Sequence, residues 1–320
     1  MMKAFGDAVR DQIVRKSPMG VLTGTGGSYL IPSEVLVPVN KRIRERSIFS
    51  ELAWRVPMTA LSISIPHVDL SVTGVVGKSP LLGGLSLGWV ADNVQLPQSE
   101  PKFGSCVLKA KNLTAAIYVS NQLVADGGEP LAEYLSHVIS DAVAFGTDYS
   151  GFNGIGGAQP VGLINAPATY RVSRQQPNRV MQLDLANMVS RLIPACFPEA
   201  IWACTPTALV DIANMSTYMA NRNSDLNAGS ALCGTLFGRP LYVTECLPTL
   251  GTAGDVMLFD PSLVVRGDHS LTIEHSDQVR FLNNQTVFRV IWRGDIQPLA
   301  SGTATLADGV TVAGTSVILE

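Results

Sequence analysis

Apolar residues recur with more than one period along this chain, and each period predicts an element. Phe5, Val9 and Ile13 stand four apart in a segment that stops at Ser17-Pro18, the pattern of a short amphipathic helix. The Gly/Thr-rich stretch 21–27 that follows reads as a tether with the freedom to reach a neighbour. Leu61, Ile63 and Ile65 alternate with Ser62 and Ser64, which predicts a strand with one apolar and one polar face, ended by Pro66. The region 72–89 is glycine-rich and aliphatic, too irregular for a helix and too long for a compact loop. It is read as an extended hairpin tip that packs on something outside its own domain. A second strand region runs through 106–120.

Pro130 suits a first helical position, and Leu131, Leu135, Val138, Ile139, Ala142 and Phe145 follow at helical spacing to Tyr149. Twenty such residues make a rod of about 30 Å. A glycine-rich turn, 151–162, comes next. The stretch 178–261 alternates helix and strand: Leu185, Met188, Val189 and Leu192 on one helix, Thr205-Pro206 opening another that carries Leu209, Ile212 and Met215, and a short buried strand at 241–244. Over 270–293 the chain alternates again, with Phe288, Val290 and Trp292 on one side and Arg289 and Arg293 on the other. The tail from Gly302, rich in Thr, Gly and Val, is read as an edge strand or a flexible end.

Composition adds a quaternary expectation. Hydrophobic residues make up 46% of the 320 and charged residues only 15%, against roughly 25% in an average soluble domain. A chain so short of charge, with a mean hydropathy of +0.23, is expected to bury much of its outside against copies of itself. The net charge of −3 gives no overall basic field, so coating of nucleic acid is not expected. Lys41, Arg42, Arg44 and Arg46 are a local exception. With Glu34, Glu45 and Glu51 nearby they read as a solvated or intersubunit helix face, the alternative being a basic cluster on an inner surface. The five cysteines contain no C-x-x-C pair and read as reduced thiols made in a cytoplasm. Neither a secretory signal nor a membrane-spanning run is expected.

Candidate chemistry is sparse. Gly84-Leu85-Ser86-Leu87-Gly88 matches the G-x-S-x-G of serine hydrolases, but neither a buried strand before it nor a helix after it is predicted, so a serine hydrolase is only a distant alternative. The glycines of 151–157 follow a helix rather than a strand, which argues against a phosphate cradle. His67, His137, His269 and His275 are scattered, and Glu129 and Glu133 are explained by placement near a helix start. No catalytic constellation, cofactor or metal is expected, and the chain is read as a non-enzyme.

The order of these elements, an α+β arrangement, resembles the major capsid proteins of tailed bacteriophages with the Hong Kong 97-like fold. The resemblance is carried by Gly26-Gly27-Ser28-Tyr29-Leu30-Ile31-Pro32, by the stretch 89–103 beginning at Trp89, by the turn with Asp148, Gly154, Gly156, Pro160, Gly162 and Leu163, by Gly238-Arg239-Pro240-Leu241 with Pro248, and by Gly267-Asp268, Asn284-Gln285 and Phe288-Arg289. Asp92 stands where the family often has Glu. The resemblance implies an N-terminal helix and arm (1–28), the start of the P-domain (29–55), an E-loop (56–104), a P-domain with a spine helix at 130–149 (105–177), an A-domain (178–264), P-domain return strands (265–300) and a C-terminal tail (301–320). It implies assembly into pentamers and hexamers, an icosahedral shell around double-stranded DNA held without sequence specificity, and a portal with scaffolding or decoration proteins as partners. The expected location is the virion, assembled in the bacterial host cytoplasm with no membrane contact. Leu81, Leu82, Leu85, Leu87 and Trp89 are the expected E-loop contacts between subunits, and Lys78 is a conceivable cross-link donor. Encapsulin-type shells enclosing a cargo enzyme share the fold and are the alternative.

Overall fold

A computed structural model describes residues 29–30, 47–69, 89–90, 98, 100, 102–220 and 232–320. The predicted N-terminal helix, the basic cluster Lys41 to Arg46, the hairpin tip with Lys78, Leu81, Leu82, Leu85 and Leu87, and Ser86 all lie outside these residues.

Strand β1 (Tyr29–Leu30) precedes the short helix α1 (Ile48–Leu52), which starts at Ser47 because the Ser47 hydroxyl accepts the Ser50 N–H. Strand β2 (Trp54–Pro57) follows, then β3 (Ser62–Val68) and β4 (Phe103–Lys109), an antiparallel pair in register from Ser62 with Lys109 to Val68 with Phe103. The predicted second strand region is two strands: the chain bends at Ala110 and continues as β5 (Lys111–Ser120). Helix α2 (Asn121–Asn153) comes next, then β6 (Thr169–Val172), α3 (Gln182–Arg191), β7 (Ile201–Cys204), α4 (Pro206–Ala213), β8 (Tyr218–Ala220), β9 (Leu232–Leu236), β10 (Arg239–Val243) and β11 (Val256–Phe259). The long hairpin β12 (Val264–Arg280) and β13 (Gln285–Pro298) is followed by β14 (Ala304–Thr305), β15 (Val312–Ala313) and β16 (Ser316–Leu319).

Two large sheets hold twelve of these strands, and β3-β4 and β14-β15 are separate two-stranded pairs. The first has the order β1-β12-β13-β5, with β2 also on β12, and α2 lies across one face of it. The predicted alternation of β13 is the reason. Val290 and Trp292 point into the helix side, where Ile139, Val143 and Ala144 of α2 meet them together with Ile273. Arg289 points away and pairs with Glu274 on the facing strand. The second sheet has the order β6-β16-β11-β7-β10-β9-β8. Helices α3 and α4 cover one face through Leu185, Met188 and Ile212. Phe49, Phe152 and Phe259 fill the other, with ring centroids 4.7 to 6.0 Å apart, and so tie α1 and α2 to this sheet.

Several expectations change. Strand β3 does not end at Pro66 but runs through it to Val68, which a strand paired on one side only tolerates, and with α2 starting at Asn121 neither Glu129 nor Glu133 lies at the helix start. Helix α2 begins nine residues before the predicted Pro130 and runs through Gly127, Gly128 and Pro130. The docked C-terminal half outweighs local propensity, although proline lacks an N–H and opposes a helix interior. Of its predicted apolar positions, Val138, Ala142 and Phe145 face outward, while Ile139, Val143 and Ala144 carry the packing. The tail is only partly the expected edge: β14 and β15 form a two-stranded pair, but β16 lies between β6 and β11 with Val317, Ile318 and Leu319 fully buried. Its short apolar run, covered on both faces, belongs to a sheet interior.

Candidate assembly surfaces

The glycine-rich turn after α2 is closed by backbone hydrogen bonds. The Gly154 N–H donates to the Ser150 carbonyl of α2, and within the turn Gly156 donates to Pro160 and Gly162 to Gly154. A side chain at Gly154 would place its Cβ 2.3 Å from the Pro160 carbonyl oxygen, and one at Gly162 would fall 2.5 Å from the Gly154 nitrogen. The glycines therefore serve backbone crossing, and Asn165 closes the turn by donating to the Asn153 and Gly154 carbonyls.

Thiol chemistry is equally quiet. Burial pushes Cys106 and Cys246 up to about 11 and Cys196 and Cys204 up to about 12, so these side chains are protonated, unreactive core residues. Among the described residues no group of three His, Cys, Asp or Glu is placed to hold a metal ion, and no helix is long and apolar enough to cross a membrane.

Polar chemistry is spent instead on joining distant segments. The Asp148 carboxylate, buried near the end of α2, accepts the Ser47 hydroxyl at 2.5 Å and the Ile48 and Phe49 N–H groups at 2.8 and 3.3 Å. It thus holds the first turn of α1. Burial raises its pKa, three donors and the nearby Arg266 guanidinium oppose the rise, and the balance lies at about 6. Arg266, itself buried, donates to the Ser50 hydroxyl and the Asp268 carboxylate and lies 5.3 Å from the Trp292 ring centroid. Asp268 also accepts from Arg55 of β2. Burial favours its neutral form, but Arg266 and Arg55 outweigh burial and hold it below the ordinary carboxylate range. A second latch fixes the foot of the β3–β4 hairpin. Asp295 of β13 accepts the Lys109 N–H at 2.9 Å and pairs with Lys111, which also donates to the Gln159 carbonyl.

This rigid frame presents large apolar side chains to solvent. Trp89, predicted as a contact residue, is completely exposed at 107%. Phe103 and Val107 stand out from β4. The sequence reading missed two further groups. At the far end of the β12–β13 hairpin, Val279, Phe281 and Leu282 are exposed around a turn whose Asn284 adopts a left-handed conformation, φ 50°. On α2, Tyr134, Val138, Phe145 and Tyr149 form an outward stripe opposite the packed face. Their spacing of four, eleven and fifteen residues is a helical repeat that the sequence does contain.

A model of the phage capsid family matches residues 27–306. The major capsid protein of Klebsiella oxytoca phage phiKO2 is 24% identical over 338 residues, covering 95% of this chain and 74% of that protein. Among solved structures, the capsid of an empty GTA particle superposes with a TM-score of 0.63 at 14% identity, over 98% of this chain and 96% of that one. Mycobacterium phage Bobi gives 0.54 at 17% identity, over 97% and 98%. At these identities the superpositions show a shared fold.

Proposed function

The chain belongs to the phage capsid family and has its α+β, Hong Kong 97-like fold, and from that premise we propose that it is the major capsid protein of a tailed bacteriophage. It works by assembly and not by turnover. The observation that carries this is the match of residues 27–306 to the phage capsid family. We propose that subunits associate as pentamers and hexamers in a closed icosahedral shell around double-stranded DNA. The shell is located in the virion, is put together in the host cytoplasm, and meets portal, scaffolding or decoration proteins.

The parts take the following roles in this reading. The sheet β1-β12-β13-β5 with α2 is the P-domain, and the sheet β6-β16-β11-β7-β10-β9-β8 is the A-domain, to which the C-terminal strand contributes. The β3–β4 hairpin is the foot of the E-loop, whose Leu81, Leu82, Leu85, Leu87 and Trp89 lie against a neighbouring subunit. Full exposure of Trp89 in one subunit supports this, because a surface indole of that size is usually covered. The test is deletion of residues 75–84 with sedimentation of both proteins. The full chain is expected to sediment as large shells and the deletion as folded capsomers or subunits. Undiminished assembly of the deletion would overturn the assignment of the arm, and a full chain that stays at 34 kDa would overturn the function.

A further inference from the structure

Helix α2 has two apolar faces, and the fold uses one. Ile139, Val143 and Ala144 face the sheet, while Tyr134, Val138, Phe145 and Tyr149 form the outward stripe, with the Phe145 and Tyr149 rings stacked at 6.0 Å. From Tyr134 to Tyr149 the stripe is about 22 Å long at helical rise. Besides the buried Asp148, the 33 residues of α2 hold Asp126, Glu129, Glu133 and Asp141 and no Lys or Arg. Asp141 falls within the stripe by helical position. The surface asks for a partner that is apolar along one line, of about this length and positively charged.

The chain contains such a partner. Residues 1–16 carry Phe5, Val9 and Ile13 in one helical line, and Lys3, Arg10, Arg15 and Lys16 against Asp7 and Asp11. As a helix, 3–16 measures about 21 Å, close to the stripe. Tyr29 and Leu30 pair antiparallel with His275 and Glu274, so the chain before Tyr29 heads toward the β12–β13 turn. Helix α2 starts at that end, where the Asn121 N–H donates to the Asn284 carbonyl. Strand β1 and the far strand β5 are three strand spacings apart, about 14 Å. The twelve residues 17–28 span up to about 40 Å when extended, which is enough to bring the segment from one edge of the sheet onto the helix.

We propose that residues 1–16 dock as an amphipathic helix along the Tyr134, Val138, Phe145 and Tyr149 face of α2 in the same subunit. The docked segment covers the apolar stripe and sets its basic side chains against the acidic helix. The proposal does not depend on shell formation and is tested on unassembled subunits.

The experiment introduces Val138→Cys and follows maleimide labelling of that thiol by peptide mass mapping, which separates it from the five native cysteines. Labelling is expected to be slow in the full chain and at least tenfold faster after deletion of 1–16. The double substitution Val9→Ser with Ile13→Ser, which leaves the chain length intact, should give the same acceleration if the deletion proves insoluble. Pairing Val9→Cys with Val138→Cys and a short bis-maleimide should yield a cross-link within one chain, at monomer mass. Equal labelling rates with and without the N-terminal apolar residues would overturn the proposal. So would cross-links found only between chains, or protection that requires a separate scaffolding protein.

Discussion

Asp148 is the most sharply testable residue of the frame, because one carboxyl fastens α1 to α2 across a hundred residues of sequence. Its pKa lies at about 6 in the folded chain against an ordinary 3.8. The folded state therefore binds this proton more tightly than the unfolded state. The stabilisation by protonation is fully present below about pH 3.8 and is lost as pH rises through about 6. The whole effect is about 3 kcal/mol, and about 2 kcal/mol of it falls between pH 4.5 and 7.5. Asp148→Asn removes the titration and keeps the side-chain volume. Urea unfolding of unassembled subunits across that window should show the stability difference between the original chain and the variant changing by about 2 kcal/mol, with the original chain losing ground as pH rises. Other titrating groups, Asp268 and Asp295 among them, are common to both proteins and cancel. A difference that stays constant over the window would refute the balance of burial and donors assigned to this site.

Two other substitutions test the elements that sequence reasoning misplaced. Gly128→Ala and Pro130→Ala should stabilise the first half of α2, by about 1 and 3 kcal/mol at most, and slow amide hydrogen exchange over 121–132; unchanged exchange would mean that this stretch is not helical. Removing 316–320 should leave the chain unfolded or insoluble, since burying Val317, Ile318 and Leu319 is worth roughly 1.5–3 kcal/mol each against a typical total stability of 5–15 kcal/mol. A truncated chain with an unchanged urea midpoint would contradict the placement of β16 within the sheet.

The successes and failures of the sequence reading divide by range. Alternation at Ile63 and Ile65 and at Val290 and Trp292, and the helical spacing of Leu185 and Met188, are local signals, and the structure has a strand, a strand and a helix there. What stayed hidden depends on partners far away. The apolar run at 317–319 becomes an interior strand only because β6 and β11 flank it. Pro130 reads as a helix start because its missing N–H is costless there, yet the stretch from Leu131 to Asn153 is anchored firmly enough to carry the helix back to Asn121. The outward stripe of α2 was visible as a period but was merged with the packed stripe, since Val138 and Ile139 are adjacent and only the fold says which one faces the sheet. Asp148 stands in the turn that carries the resemblance, but its role as a latch gave no signal, because its three donors come from residues about a hundred positions away.

The central proposal is that this chain is a shell subunit whose exposed E-loop side chains, Trp89 first, are covered by its neighbours. A cryo-electron microscopy reconstruction of the purified, expressed protein tests it most directly. The account predicts closed shells of pentamers and hexamers in which Trp89, fully exposed in the single subunit, is buried against an adjacent chain. Particles that remain single subunits, or a small shell enclosing a co-purified enzyme, would contradict it, as would closed shells in which Trp89 still faces solvent.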